Sequence, residues 1–126
     1  MKFVNSPWNA VIIDDHLAIR QMTRRLLESG GHEVIGEAAN GQDGLDAVWG
    51  LEPDVVLLDI ALPDISGVEV AKQLKATGSK SAVVLISSYD LEDLGDPVAE
   101  SGADAFLSKS DLTASSIEAL GPFTAG

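Results

Sequence analysis

The stretch VVLLDIALPDISG, residues 55–67, places four aliphatic residues directly before a carboxylate, Asp59. An aliphatic run of this length is typical of a strand that is buried on both faces of a parallel sheet. A charged, unpaired carboxylate inside such a strand would cost several kcal/mol, the order of magnitude for burying an ion. The stretch therefore predicts that Asp59 either lies past the end of the strand, at the mouth of a solvated crevice, or caps a turn.

The composition is that of an ordinary soluble globular protein, with 126 residues of which 45% are hydrophobic and 22% are charged. The net charge of −12 repels phosphate backbones and suits a cation or a basic partner, so we do not expect nucleic-acid binding. The chain contains no cysteine, which excludes disulfides and thiolate metal sites. Its apolar runs are too short to span a membrane, and residues 1–9 do not resemble a signal peptide, so we expect a cytoplasmic protein.

Short aliphatic runs recur along the chain, at intervals that leave room for one helix between consecutive strands. They are found at residues 11–13, 34–35, 55–58, 83–86 and 105–107. Strands that alternate with helices predict a parallel sheet with helices on both faces. The expected fold is α/β, a doubly wound five-stranded parallel sheet of flavodoxin-like order 2-1-3-4-5. We expect a single domain over residues 1–126, with a leader (1–9), a core (10–120) and a tail (121–126).

The segments between the runs carry apolar residues at helical spacing. Ala18, Met22 and Leu26 predict the buried face of a first helix that ends at Gly30 and Gly31. Further helices are predicted by Leu45, Val48 and Trp49, by Val70, Ala71 and Leu74 before Gly78, and by residues 112–120.

The fourth helix is expected in the segment DLEDLGDPVAESG, residues 90–102, which contains Gly95 and Pro97. Asp96 as the N-cap and Pro97 at the first helical position predict a short helix preceded by a loop.

Polar side chains follow the aliphatic runs at their carboxyl ends. They are Asp14 and Asp15 after the first run, Asp59 after the third, Ser87 after the fourth and, one residue further on, Lys109 after the fifth. In a doubly wound sheet, ligands bind beyond the carboxyl ends of the strands, where the strand order reverses. We therefore expect these side chains to converge on one crevice.

The chemistry of this set favours a bound cation and a phosphoryl group. Three carboxylates at close range repel one another unless a cation compensates, and Mg²⁺ prefers such oxygen ligands. Lys109 supplies a point charge for a phosphate oxygen, and Ser87 can donate a hydrogen bond to another. Because aspartate is a recognised nucleophile in phosphoryl transfer, the set predicts a site that forms or holds an aspartyl phosphate on Asp59.

Each of these residues, considered alone, also has a structural explanation. Asp59 could be a turn cap, Asp15 the N-cap of the first helix, Ser87 a turn serine and Lys109 a solvated lysine. Other polar and aromatic residues are expected to have structural roles only. His16 is predicted to face solvent at the start of the first helix, Arg20, Arg24 and Arg25 to form a solvated helix face, Trp8 and Trp49 to pack, and Asp64 to lie in a loop without chemistry.

The motifs IIDDH, DIALPDISG, LISS and GADAFLSK, in this order between residue 10 and about residue 120, resemble the receiver domain of two-component response regulators. The resemblance implies that a sensor histidine kinase phosphorylates Asp59 in the presence of Mg²⁺. The implied metal ligands are Asp15, Asp59 and the backbone carbonyl of Ala61, with Asp14 acting through water. The other implied roles are the switch hydroxyl for Ser87, phosphate binding for Lys109, and the aromatic that turns inward on activation for Phe106.

The DDH triplet, Arg20 and the stretch GEAANGQDGL resemble receivers attached to LuxR-type helix-turn-helix regulators in particular. The implied function is a signalling domain, not an enzyme, that regulates transcription through an effector domain or a downstream protein. Homodimerisation on phosphorylation is compatible with this resemblance. No DNA-binding segment follows Gly121, so a standalone receiver and a fragment of a longer regulator remain alternatives.

The chain departs from the receiver pattern at three places. Ser110 follows the lysine where many receivers have proline, and Ser88 stands where alanine is usual. The segment with Pro97 interrupts the face, made by the last two helices and the fifth strand, that reads out phosphorylation in the family. In the family, the residues two after the acceptor and two after the switch hydroxyl modulate the lifetime of the phosphorylated state, and the resemblance implies this role for Ala61 and Tyr89.

Two other functions compete with the signalling receiver. A haloacid dehalogenase-type hydrolase also uses an aspartyl phosphate and Mg²⁺, but it expects a D-x-D motif where this chain has Asp14, Asp15 and His16. A pseudo-receiver would be a constitutive interaction module, which the acidic residues disfavour and the unusual fourth helix favours.

Overall fold

The computed structural model describes residues 7–88, 98 and 100–120. Within them, strands and helices alternate in the order β1 (Asn9–Ile13), α1 (Leu17–Ser29), β2 (Glu33–Ala38), α2 (Gly41–Leu51), β3 (Val55–Asp59), α3 (Gly67–Ala76), β4 (Ala82–Ser87), β5 (Ala105–Ser108), a 3₁₀ turn (Lys109–Asp111) and α4 (Ala114–Leu120). The predictions for Tyr89, Gly95, Asp96 and Pro97 concern residues outside the described part of the chain, as does the tail from Gly121.

The strands form one parallel sheet in the order β2-β1-β3-β4-β5, which confirms the predicted fold. Ile13 pairs with Leu58, and Asp59 pairs with Ile86 on the other side. The carboxyl ends of β1, β3 and β4 are therefore level, so the residues that end or follow these strands share one edge of the sheet.

The sheet is buried on both faces because its strands alternate apolar side chains between two layers. One layer packs Val11, Ile13, Val56 and Leu58 with residues of α2 and α3. The opposite layer packs Ala10, Ile12, Val55 and Leu57 with residues of α1 and α4. None of the helices among the described residues has the length and hydropathy needed to cross a bilayer.

The predicted buried face of α1 is right in part for Met22 and Leu26, which are partly buried against the core, and wrong for Ala18. Ala18 is exposed, and Thr23 and Leu27 are the fully buried residues of this helix. Thr23 tolerates burial because its hydroxyl donates a hydrogen bond to the carbonyl of Ile19, one turn earlier, at 2.7 Å. A polar side chain that satisfies itself on its own helix is invisible to a pattern based on hydrophobicity.

The two tryptophans have different environments. Trp8 is buried and stacks on the ring of His32 with 3.8 Å between centroids, which confirms its packing role. Trp49 is 43% exposed, and its indole N–H donates to the Thr77 hydroxyl at 3.1 Å, so it packs only in part and at the surface.

Candidate functional site

A cluster of potential metal ligands lies at the carboxyl edge of the sheet, between the neighbouring strands β1 and β3. Asp14, Asp15 and His16 follow β1 directly, and Asp59 is the last residue of β3. One ligand atom from each of the four lies within 4.8 Å of the others. The convergence predicted for the three carboxylates is therefore present in the fold, and the sheet register produces it.

Asp59 is buried more deeply than the sequence suggested. It belongs to β3 and is 3% exposed, so the prediction that it lies past the strand, at the mouth of the crevice, is wrong. Its Oδ1 accepts a hydrogen bond from the backbone N–H of Ala61 at 3.3 Å, and its Oδ2 lies 3.5 Å from Nζ of Lys109. Burial and the negative charge of Asp14 raise the pKa of Asp59, although Lys109 and the Ala61 N–H oppose the shift.

Lys109 links the two buried carboxylates of the cluster. Its Nζ lies 3.2 Å from Oδ2 of Asp14 and 3.5 Å from Oδ2 of Asp59. The ammonium of Lys109 therefore faces the two buried carboxylates of Asp14 and Asp59, and the carboxylate of Asp15 lies beside them. The excess of negative charge and the carboxylate oxygens of Asp14, Asp15 and Asp59 fit a hard divalent cation such as Mg²⁺.

Asp15 and His16 form the exposed side of the cluster. The His16 ring faces solvent as predicted, yet its Nδ1 lies 3.1 Å from a carboxylate oxygen of both Asp14 and Asp15. The backbone N–H of His16 donates to Oδ1 of Asp14 at 2.8 Å. His16 is the N-cap residue of α1, so the alternative in which Asp15 caps this helix is wrong.

Arg20 contacts the backbone of the cluster, whereas the sequence suggested a solvated side chain. Its Nη1 donates to the carbonyl oxygen of Asp14 at 2.6 Å, and its Nε donates to Oε1 of Glu37 at 3.0 Å. Arg24, one turn later, pairs with the same Glu37 at 2.7 Å. The prediction of a solvated face is therefore wrong for Arg20. The signal that could have revealed it is Glu37, a charged residue one position before the end of a half-buried strand.

Asp64 also has a structural role that the sequence did not reveal. Its carboxylate accepts hydrogen bonds from the backbone N–H groups of Gly41 at 2.7 Å and Gln42 at 2.9 Å, at the N-terminus of α2. The loop after β3 is thereby attached to the helix before it. These N–H donors lower the pKa of Asp64.

The remaining predicted site residues surround the cluster. Ser87 is the buried last residue of β4, the strand beside β3, and it pairs in register with Ser108 of β5. Phe106 lies in β5, is partly buried, and packs against the layer that contains α2 and α3. Ala61 is exposed in the loop after β3 and contacts Asp59 through its N–H. Lys109 contacts the carboxylates of both Asp14 and Asp59, and Ala61 contacts that of Asp59.

Comparison with known proteins gives a family match over almost the whole chain. Residues 10–119 match the response regulator receiver domain. The chain is 33% identical over 111 residues to the transcriptional regulatory protein LiaR of Bacillus subtilis, which covers 87% of this chain and 53% of LiaR. It is 27% identical over 110 residues to the chemotaxis protein CheY of Thermotoga maritima, covering 87% of this chain and 92% of CheY.

Solved structures agree with the sequence matches. A two-component response regulator of the LuxR family from Aurantimonas sp. superposes with a TM-score of 0.83 at 25% identity, covering 91% of this chain and 83% of that one. These matches confirm the predicted resemblance to receivers of LuxR-type regulators. The chain spans about half the length of the transcriptional regulators that it matches.

Proposed function

Since the chain belongs to the receiver domain family of two-component response regulators, we propose that it accepts a phosphoryl group on Asp59 from a sensor histidine kinase. The observation that carries this proposal is that Lys109 bridges the carboxylates of Asp59 and Asp14, at the edge where β1, β3 and β4 end together. A purely structural carboxylate would not need two further acidic side chains beside it.

Mg²⁺ is the proposed cofactor, held by Asp15, Asp59 and the backbone carbonyl of Ala61, with Asp14 acting through water. The donor set fits it because the carboxylates outnumber the one ammonium that contacts them among the described residues. When bound, the metal supplies positive charge to the oxygens of the transferred group. The chain's own contribution is to hold the carboxylates in place, while Lys109 and the Ala61 N–H stabilise the ionised, reactive form of Asp59 against burial and the charge of Asp14.

In the transfer itself, a carboxylate oxygen of Asp59 forms a bond to phosphorus while the bond from phosphorus to the donor imidazole breaks. The electron pair of the broken bond stays on the imidazole nitrogen. Lys109, which spans Asp14 and Asp59, is placed to shift its charge toward the new phosphoryl oxygens. Ser87, at the end of the adjacent strand, is the proposed donor to another of these oxygens.

The proposed output is a change of surface around β4 and β5. If Ser87 is drawn toward the phosphoryl group, the loop after β4 follows, and Phe106 turns into the space beside it. An effector domain or a downstream protein that reads this surface would then regulate transcription, with homodimerisation as one possible form of the response. Membership in a family of signalling proteins disfavours the hydrolase, and the assembled acidic cluster disfavours the pseudo-receiver.

The experiment is to incubate the chain with acetyl phosphate and Mg²⁺ and to measure its intact mass. One phosphoryl adduct is expected, absent in EDTA and absent in Asp59→Asn. Asp64→Asn is the matched control, because it removes a nearby carboxylate that binds α2 rather than the cluster, and it should still be labelled. An adduct that persists in Asp59→Asn would refute Asp59 as the acceptor.

A further inference from the structure

The guanidinium of Arg20 joins three elements at the edge of the acidic cluster. It donates to the carbonyl of Asp14 in the loop after β1 and to the carboxylate of Glu37 near the end of β2, while its own backbone belongs to α1. Its side chain is 16% exposed, so these contacts are partly shielded from water. Arg20 therefore ties the metal-binding loop to a strand and a helix at once.

The bond to Asp14 acts on Asp15 because the two residues share one peptide unit. The carbonyl of Asp14 and the N–H of Asp15 lie in the same plane, which also contains both Cα atoms. A hydrogen bond that fixes this carbonyl fixes the direction in which the chain enters Asp15. Arg20 thereby restricts the orientation of the Asp15 carboxylate, although none of the described contacts of Arg20 is a hydrogen bond to that carboxylate.

Asp15 needs such a constraint more than the other two carboxylates do. Asp14 is buried, its N–H donates to the carbonyl of Ala38 at 3.0 Å, and its carboxylate accepts the His16 N–H. Asp59 is buried at the end of a central strand. The side chain of Asp15 is 36% exposed, and its described partner at 3.1 Å is the His16 ring, which is itself 60% exposed, so packing does not hold it in place.

We propose that Arg20, oriented by Glu37, is a positioning residue that presents the Asp15 carboxylate to the metal. This inference rests on the proposed function, since it assigns a further residue to the same metal site. A guanidinium suits the task because its planar fork donates in two directions at once, to Glu37 and to the Asp14 carbonyl. A lysine ammonium keeps the charge but lacks that fixed geometry.

The chain offers a matched control in Arg24. It lies one turn further along α1, and its described partners are the carboxylates of Glu37 and Glu28. Arg24→Gln therefore removes one positive charge and the contacts to Glu37 and Glu28 without removing the bond from Arg20 to the Asp14 carbonyl.

The test is a calorimetric titration of the chain with Mg²⁺. Arg20→Gln should raise the Kd by about tenfold or more, as expected for a lost charge-assisted hydrogen bond. Arg20→Lys should fall between this variant and the wild type, and Arg24→Gln should stay within about twofold of the wild type. At saturating Mg²⁺, the rate of labelling by acetyl phosphate in Arg20→Gln should return toward the wild-type rate, which a general loss of structure would not allow.

A second measurement is independent of the metal. In the Mg²⁺-free protein, the ¹⁵N order parameter of the Asp15 amide should fall in Arg20→Gln and remain unchanged in Arg24→Gln. Wild-type affinity for Mg²⁺ in Arg20→Gln, or an equal loss in Arg24→Gln, would overturn the inference. If the wild type binds no Mg²⁺, the proposed function fails, and an unchanged Asp15 amide in Arg20→Gln would then separately overturn the positioning role.

Discussion

In the Mg²⁺-free protein, the surroundings of Asp59 disfavour the ionised form of its carboxyl group. It is buried, it lies beside Asp14, and the ammonium of Lys109 at 3.5 Å does not fully compensate, so its pKa is raised in the folded chain. A carboxyl group with a raised pKa favours the folded state when protonated and disfavours it when ionised. The residue proposed to carry the chemistry is therefore a source of instability at neutral pH.

Asp59→Asn is expected to raise the melting temperature of the Mg²⁺-free protein by a few degrees at pH 7, because a neutral amide replaces a disfavoured charge. The sign follows from the raised pKa: ionisation of Asp59 removes stability as the pH rises through its folded-state pKa, and protonation restores it below the unfolded-state pKa. The increase in melting temperature that Asp59→Asn causes should therefore become smaller as the pH falls. Melting curves in EDTA across the acid range would measure this, and a gain that is independent of pH would contradict it.

Helix α2 depends on a residue from another part of the chain. Its N-terminal N–H groups are satisfied by Asn40, whose side chain accepts from Asp43, and by Asp64 from the loop after β3. A carboxylate at this end of a helix also interacts favourably with the helix dipole. The contact connects the loop that follows Asp59 to the helix before β3.

Asp64→Asn should lower the melting temperature at neutral pH, in the opposite direction to Asp59→Asn. Because the N–H groups of Gly41 and Gln42 lower the pKa of Asp64, its contribution is present above the unfolded-state pKa and is lost as the pH falls through the folded-state pKa. The melting temperatures of the wild type and of Asp64→Asn should therefore become equal at acid pH. Asp46→Asn, on the exposed side of α2 with Gln42 as its partner, is the control and should show little change. An Asp64→Asn difference that persists in acid would count against the charge-based explanation.

Gly67 opens α3 where the helix passes closest to the end of β3. A Cβ at this position would collide with the carbonyl oxygen of Asp59 and would lie 2.8 Å from Cα of Ile60, both of them backbone atoms that cannot rotate away. Gly50, in α2, has nothing within 4 Å of the position of a Cβ. The backbone at the end of β3 therefore excludes a side chain at position 67, whereas position 50 has room for one.

Gly67→Ala should destabilise the protein by about 1–3 kcal/mol through overpacking and should also weaken labelling, since it displaces the backbone of Asp59. Gly50→Ala should stabilise the protein by about 0.5–1 kcal/mol, the difference in helix propensity. Urea unfolding of the two variants measures both effects. Equal shifts of the same sign would show that the backbone contact at Gly67 is unimportant.

The elements differ in how well the sequence predicts them. The strands were predictable because burial on both faces leaves continuous aliphatic runs such as residues 55–58. The face of α1 was predictable only in part, because Thr23 satisfies its hydroxyl within the helix. The acidic cluster followed from the ends of the runs. Asp64 was not predictable, because its partner Gly41 lies 23 residues away and offers only a backbone N–H, which leaves no pattern in the sequence.

The whole molecule should be stabilised by the cation that its site is proposed to bind. Above the Kd, each tenfold increase in free Mg²⁺ should add about 1.4 kcal/mol to the free energy of unfolding. Asp15→Asn should reduce this dependence strongly, because it removes a proposed ligand. Since the chain carries a net charge of −12, NaCl at matched ionic strength is the required control for general screening. Equal stabilisation by NaCl and Mg²⁺ would argue against a specific site.

The position of Lys109 in the chain has a consequence for protein synthesis. Asp14, Asp15 and Asp59 leave the ribosome first, and β1, β2 and β3 are neighbours that can pair before the rest of the sheet exists. Lys109 follows Asp59 by 50 residues, which at about 5–20 residues per second is a delay of about 2.5–10 s. During that interval a nascent chain that has paired these strands holds its acidic residues together without their lysine. Dissolved cations are then the available counter-charge, so the ionic composition around the ribosome would influence how early this part of the protein can become compact.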